Sequence, residues 1–515
     1  MSWPNSELVP YFLYFGSHHR SSIMKTSFTP LFYWVLFLGI FSGISQPITP
    51  DTATFKKELK SLEHFFNIPG LAAVVSQNDS LIFENYSGFA DYETSTRVNA
   101  GTLFPVASIT KVFSGVLAHQ LVKEGVLDFE TKANTYGPFE NLGDSILVKH
   151  ILSHTSEGKL GSRFHYSARF GLLTPILEKS SGRTFADLMQ QRILDPLAMD
   201  QSFLLNDEDQ VKQMGIRLAT PYFLDPQPEK CFIEYGYSAS AGLVSTAREL
   251  LRFSQALPTD TLLSPKAKTA MFTPFYTGSP YGMGIFTTSW EGHGLLWAYG
   301  QYDCYSSLML QIPELDLHLV LLANNNLMSD PARLIYGDIS SSLFALSFLK
   351  NFVSPADQTP LFYKLNGKGQ ERNRTVLDKQ LLIAQALAEG FMARFDPSKI
   401  KKAELVLKRL FAEYPDYLTY ANAQLLHTLA ALKDTSFHYD QGPFTTFDTE
   451  FEAIGKYLIQ KEPDNPYLHL YMGGYYTHLG QIERARPHYL ALVNAKNQRE
   501  HWYTREAAEW LAEHP

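Results

Sequence analysis

The chain has 515 residues, 45% hydrophobic and 19% charged, the composition of a folded globular protein longer than one core usually serves, so two domains are the first expectation. Its 44 basic and 52 acidic side chains leave a net charge of −8, which gives no support to a nucleic-acid partner. Cys231 and Cys304 are too few for a disulfide framework, and no CxxC, HExxH, Walker loop or GxSxG is present, so no metal or nucleotide cofactor is expected.

In chain order the first signal is "MKTSFTPLFYWVLFLGIFSGISQ", with Lys25 after Met24 and an apolar run to Ile44. Gly43 and Ser45 fit the −3 and −1 positions of a signal-peptidase site. Residues 1–45 therefore read as a signal peptide with an N-terminal extension over 1–23, and the mature chain is expected to start near Gln46, in the periplasm or outside the cell. The apolar run of about 17 residues is at the short end for a membrane span, and a retained anchor is the alternative.

The stretch "GLAAVVSQNDSLIFENYSGFAD" (70–91) predicts a β-hairpin, two apolar runs flanking turn residues. Val112, Val116, Leu117 and Leu121 then recur at helical spacing, ending before Gly125. Helices and loops fill 130–270, and from about 281 the runs "YGMGIFTTSW", "YSSLMLQI" and "LHLVLLAN" are strand-like. Strands at both ends of a helical stretch predict an α/β (α+β) domain over 50–352. A polar linker over 353–378 follows, then helices only. In the 379–515 region, Gly473, Tyr476, Gly480, Ala485 and Tyr489 resemble one tetratricopeptide repeat, with a generic helical bundle as the alternative. About three helix pairs are expected there, separable from the first domain and able to serve a protein partner. Lys399, Lys401, Lys402, Lys408 and Arg409 read as a solvated helix face.

Ser-x-x-Lys begins at Ser22, Ser108, Ser156, Ser347 and Ser398, so the tetrapeptide alone singles out nothing. Only Ser108 stands where a helix begins behind a strand-like "TLFPVA". Unpaired N–H groups and positive potential there favour a developing alkoxide. Spacing i, i+3 puts Lys111 on the same face, and a lysine made neutral by burial could take the hydroxyl proton. A plain N-cap serine is the alternative.

Downstream come "HILSHTSEG" (150–158), "FHYSARFGLL" (from 164), "SAGLVSTAREL" (240–250) and "WAYGQYDCYSSLMLQIPE" (from 297). In that order these resemble the serine β-lactamase and penicillin-binding-protein superfamily, in its class C-like branch of lactamases, D-alanyl-D-alanine carboxypeptidases and esterases. The resemblance covers about 55–350. It implies Ser108 as acylated nucleophile, Lys111 as its partner and Tyr166 as proton shuttle. The third motif falls on Ala298, Tyr299 and Gly300, with Tyr299 and Gly300 at the substrate. Gly300 is read as glycine because substrate lies against that strand edge. The backbone N–H groups of Ser108 and Gln301 would form the oxyanion hole. Two positions depart from the family: Ala168 replaces an asparagine that binds a substrate amide, and Ala298 replaces a cation that binds a substrate carboxylate. The expected function is an exported serine hydrolase on an ester, amide or peptide, more esterase or peptidase than efficient β-lactamase. The alternatives are a sensor that binds a cell-wall peptide or lactam without turnover, and a chain whose repeat region carries the function on a degenerate first domain. Whether Lys111 or Tyr166 is the resting base stays open. His154 is read as structural, Cys304 as a small apolar filler, and His293 as a residue that could line the site mouth.

Overall fold

The computed structural model describes residues 49–515 except 140–141, 158, 226, 358, 364–374, 397, 415–425, 427, 430–447, 462, 464–465 and 495–501. The leader expected over 1–45 and a start near Gln46 lie outside the described residues.

After a helix at Thr52–Phe65, β1 (Gly70–Gln77) and β2 (Ser80–Asp91) form the expected hairpin. Asn78 and Asp79 take positive φ of 50° and 58° at its turn, a conformation that Asn and Asp tolerate. Short strands follow: β3 (Thr96–Arg97), β4 (Phe104–Pro105), β5 (Phe203–Leu204), β6 (Tyr222–Asp225), β7 (Gln227–Lys230) and β8 (Leu243–Ser245). The chain then returns through β9 (Phe286–Trp290), β10 (His293–Tyr302), β11 (Tyr305–Ile312) and β12 (Leu317–Ala323). These close an antiparallel seven-stranded sheet in the order β3-β2-β1-β12-β11-β10-β9, with Leu71 opposite Ala323. Strands from both ends of the domain thus meet at its centre.

Alternation at period two sends side chains to opposite faces. Ala72, Val74, Ala298, Met309 and Val320 face the helical layer that carries Thr110–Lys123. Leu71, Ala73, Trp297, Leu310 and Leu321 face the helices Thr52–Phe65 and Leu343–Phe352. With both faces covered, β12 is buried along its whole length, which is why its sequence is apolar without alternation except at His318, whose ring bonds Ser254 and Asp316.

Among the described residues of the C-terminal part lie helices Val376–Met392, Ser398–Glu413, Asp448–Lys461, Pro466–His478, Ile482–Asn494 and Trp502–Glu513. Pro466–His478 and Ile482–Asn494 cross closely because Gly473 lies under the Tyr489 ring, and Gly480 turns the chain between them at φ +68°. Lys401 and Lys408 are exposed, as on a solvated face, and several of the basic residues are also engaged. Lys402 pairs with buried Glu389, Lys408 with Glu404 and Arg409 with Glu413, and Lys399 sits 4.3 Å over the Phe65 ring.

Helix Val376–Met392 belongs to two cores, which the sequence division at 353–378 did not foresee. Leu377, Leu381, Phe391 and Met392 pack into the outer sheet core, and Gln380 accepts a hydrogen bond from Trp290 Nε1 at 3.0 Å. Leu382 and Ala386, on the other side, pack into the C-terminal core. Four large apolar side chains at about 1.5–3 kcal/mol each amount to most of an ordinary domain's net stability. A chain ending near residue 355 is therefore expected to aggregate or melt well below the full chain, and one ending near Asp396 to stay folded. Equal melting temperatures for the full chain and the 355 truncation would refute this.

Candidate active site

From Thr102 to His119 every residue is buried except Ser108, which is partly open. It sits in a 3-10 turn, Ala107–Ile109, at the N-terminus of helix Thr110–Lys123. Ala107 takes φ +46°, a strained conformation for a residue with a Cβ. Its carbonyl accepts a hydrogen bond from Thr110 Oγ1 at 2.7 Å, which pins the turn. No side chain caps either helical segment, so Ser108 Oγ is not an N-cap. Its partner is Lys111, whose Nζ lies 2.9 Å away.

Lys111 is 5% exposed, and burial pulls its amine down from 10.5 to about 7. Nζ also donates to the Ser240 carbonyl at 3.1 Å. That carbonyl is fixed by its neighbour: Ser114 Oγ donates to Ala239 O at 2.7 Å, and Ala239 N–H donates to Thr174 Oγ1 at 2.7 Å. The sequence carried no signal for Ser240, because its contribution is a backbone atom.

Tyr166 comes from the loop before the 3-10 turn Ala168–Leu172 and is hydrogen-bonded to Ser108 and Tyr299. Lys111 Nζ stands 4.9 Å above its ring. Burial raises the Tyr166 phenol well above its ordinary 10, so it keeps its proton at neutral pH. His154 brackets this tyrosine. Its carbonyl accepts from His165 N–H at 2.7 Å, its Nδ1 accepts from Ser167 N–H at 2.9 Å, and its ring stacks on Tyr166 at 4.5 Å. Burial and the nearby Lys111 charge hold the imidazole well below its usual range, hence neutral. The structural reading of His154 thus extends to direct support of Tyr166.

β10 runs beside the Ser108 turn. A side chain at Gly300 would collide with the Val106 carbonyl and Ser307 Oγ, and Ser307 Oγ itself donates to Val106 O at 2.8 Å. This corrects the reason given for the glycine: it admits the nucleophile turn onto the sheet, not substrate. Tyr299 is also displaced from the expected role. It is 5% exposed, with its ring 5.7 Å from Tyr166, so its side chain braces the tyrosine instead of lining an open groove. β9 stops opposite Trp297, which leaves the edge of β10 from Ala298 to Tyr302, including Gln301, without a strand partner on that side among the described residues.

Ala168 is exposed at the start of its turn and Ala298 is buried on β10, so neither supplies the polar group found in the resembled family. His293 does not line the mouth. It opens β10 at the far end, roughly 23 Å from Gly300 at about 3.3 Å per residue. Of the other Ser-x-x-Lys copies, Ser156 is buried, and Ser347 and Lys350 both bond Glu58. Ser22 lies outside the described residues. Cys304 is not a free filler: it is bridged to Cys231, with 6.4 Å between the Cα atoms. Two cysteines 73 residues apart gave no hint of pairing; only the fold brings the β10–β11 turn beside the chain after β7.

The beta-lactamase family profile matches residues 60–338, more than half of the chain. The chain belongs to the beta-lactamase family. Within the wider beta-lactamase and penicillin-binding-protein superfamily it is 23% identical to penicillin-binding protein 4* of Bacillus subtilis, over 51% of this chain and 69% of that protein. It is 22% identical to penicillin-binding protein 4 of Amycolatopsis lactamdurans, over 60% of this chain and 95% of that one. The octameric penicillin-binding protein homologue from Pyrococcus abyssi superposes with a TM-score of 0.50 at 20% identity, covering 53% of this chain and 74% of that chain; this likeness concerns the fold. The beta-lactamase match ends before the C-terminal helices. Among the described residues no helix is long and apolar enough to cross a membrane.

Proposed function

We propose that this beta-lactamase family chain is an exported serine hydrolase that turns over an acyl compound through an acyl-Ser108 intermediate. The observation that carries the reading is the 2.9 Å contact between Ser108 Oγ and a buried lysine brought to about 7. Neutral Lys111 accepts the Ser108 proton as Oγ attacks the substrate carbonyl. The oxyanion forms against the N–H groups of Ser108 and Gln301. Tyr166, a phenol at neutral pH, relays the proton from Lys111 to the leaving group. Water then attacks the acyl carbon and the proton returns by the same route. Lys111, not Tyr166, is thus the resting base.

The test is labelling with a fluorophosphonate and with a fluorescent penicillin. Fluorophosphonate labelling of Ser108 and turnover of a short-chain ester are expected, and the loss of both in Ser108→Ala. A penicillin adduct on a protein that turns over no ester would support a sensor, and no label on the folded protein would overturn the acyl-serine reading.

Export rests on the leader pattern at Met24–Ser45 and on the Cys231–Cys304 bridge, since such bonds persist in oxidising compartments. N-terminal sequencing of protein recovered outside the cytoplasm should read from near Gln46; a chain retaining Phe28–Ile44 would point to an anchor. The C-terminal helix pairs, read as tetratricopeptide-like, offer a surface for a protein partner, and a small molecule or peptide is the substrate.

A further inference from the structure

Three links join the segment 231–242 to the tip of the β10–β11 hairpin. The first is the Cys231–Cys304 disulfide. The second is the hydrogen bond from Asp303 N–H to Glu234 Oε1 at 2.8 Å. The third joins the Tyr302 hydroxyl to the Gly242 backbone. Each side of this cross-linked unit carries a backbone group of the site. Gln301 lies three residues before Cys304, and the Ser240 carbonyl that holds Lys111 lies between Glu234 and Gly242. Glu234 reinforces the link from a half-buried position, where desolvation raises its carboxyl to about 7.

We propose that the Cys231–Cys304 disulfide is a positioning clamp of the active site, fixing the unpaired edge at Gln301 against the Ser240 carbonyl, so that the hydrolase is competent when oxidised and slackened when the bridge is reduced. The proposal rests on the roles given above to Gln301 and Lys111. The bridge is within reach of small thiols. A cavity of about 520 Å3 lined by Phe223, Lys230, Cys231, Phe232, Asp303 and Cys304 opens onto it, with Phe232 61% exposed at its rim. Two thiols RSH supply the two electrons and two protons that convert the bridge to two cysteine thiols, and leave as RSSR. A staple that acted only on folding would change the melting temperature and leave the chemistry untouched below it. A clamp at this place acts on rate, because a shift of about 1 Å in a positioned group costs up to about a hundredfold.

The full-length protein is compared at 25 °C oxidised, reduced with dithiothreitol, and reoxidised, alongside the double variant Cys231→Ala/Cys304→Ala. Thiol alkylation reports the state of the bridge and far-UV circular dichroism reports the fold. Fluorophosphonate labelling of Ser108 is expected to slow at least about tenfold on reduction, to recover on reoxidation, and to stay slow and insensitive to dithiothreitol in the variant. An unchanged labelling rate with the bridge demonstrably open would overturn the clamp, and so would global unfolding on reduction, which would make the bridge a folding staple. If Ser108 is unlabelled in every state, the acyl-serine reading fails, and amide hydrogen exchange over 238–242 and 298–303 decides the clamp. Faster exchange on reduction upholds it and unchanged exchange overturns it.

Discussion

Acylation of Ser108 is expected to rise through pH 7 and level off above it, and Lys111→Met should lose that limb together with about two or more decades of rate. Burial disfavours the ammonium, so the amine releases its proton near 7 instead of 10.5, and only the neutral amine can accept the serine proton. Below 7 the base is occupied and the rate falls tenfold per pH unit. The two groups that flank it do not blur this limb, and Glu234 of the clamp, also at about 7, is told apart because Lys111→Met leaves Glu234 in place. Tyr166 is pushed up and stays a phenol, and His154 is pushed well down and stays neutral across the same window. Lys111→Arg should behave like Lys111→Met, because a guanidinium does not deprotonate. Ser108→Ala should remove activity and label together at every pH. A rate that stays flat from pH 5.5 to 9 with chemistry limiting would contradict neutral Lys111 as the base.

Much of this arrangement was legible in the sequence, for a physical reason. The apolar periodicity from Val112 to Leu121 and the strand-like run before Ser108 are local features, and together they put a serine at a helix start. The alternation around Asn78–Asp79 gave the hairpin in the same way. Contacts set by tertiary distance were not legible. The Ser240 carbonyl reaches Lys111 from 129 residues away, and the Cys231–Cys304 pairing depends on where two turns meet. Helix Val376–Met392 misled the reading of domain limits because a two-sided apolar helix looks like any buried helix, and its sequence does not say that its two faces serve different cores. Gly300 was correctly singled out as sterically required, but its contact is the protein's own Val106 carbonyl.

Short-chain acyl esters should be hydrolysed and penicillins and cephalosporins turned over poorly. In the resembled family a substrate amide and a carboxylate meet an asparagine and a cation at the positions of Ala168 and Ala298, and alanine offers neither donor nor charge. The cations on neighbouring segments are engaged elsewhere. Arg169 donates to the Ser156 carbonyl at 2.8 Å, Arg333 pairs with Asp330 at 3.0 Å, and Lys230 pairs with Glu93 at 3.2 Å. Lys111 cannot substitute as a cation without ceasing to be a base. One lost charge-assisted hydrogen bond is worth roughly 1.5–3 kcal/mol, or about one to two decades in rate if fully realised. Small esters carry neither handle and should lose much less. Ala168 is exposed, so Ala168→Asn can be accommodated without repacking and should raise lactam turnover more than ester turnover. Tyr166→Phe should slow both, since the relay serves every leaving group. Steady-state kinetics on a matched ester and cephalosporin pair check this directly. Cephalosporin turnover as efficient as ester turnover in the unmodified protein would sink the reading, because other groups would then be supplying the missing contacts.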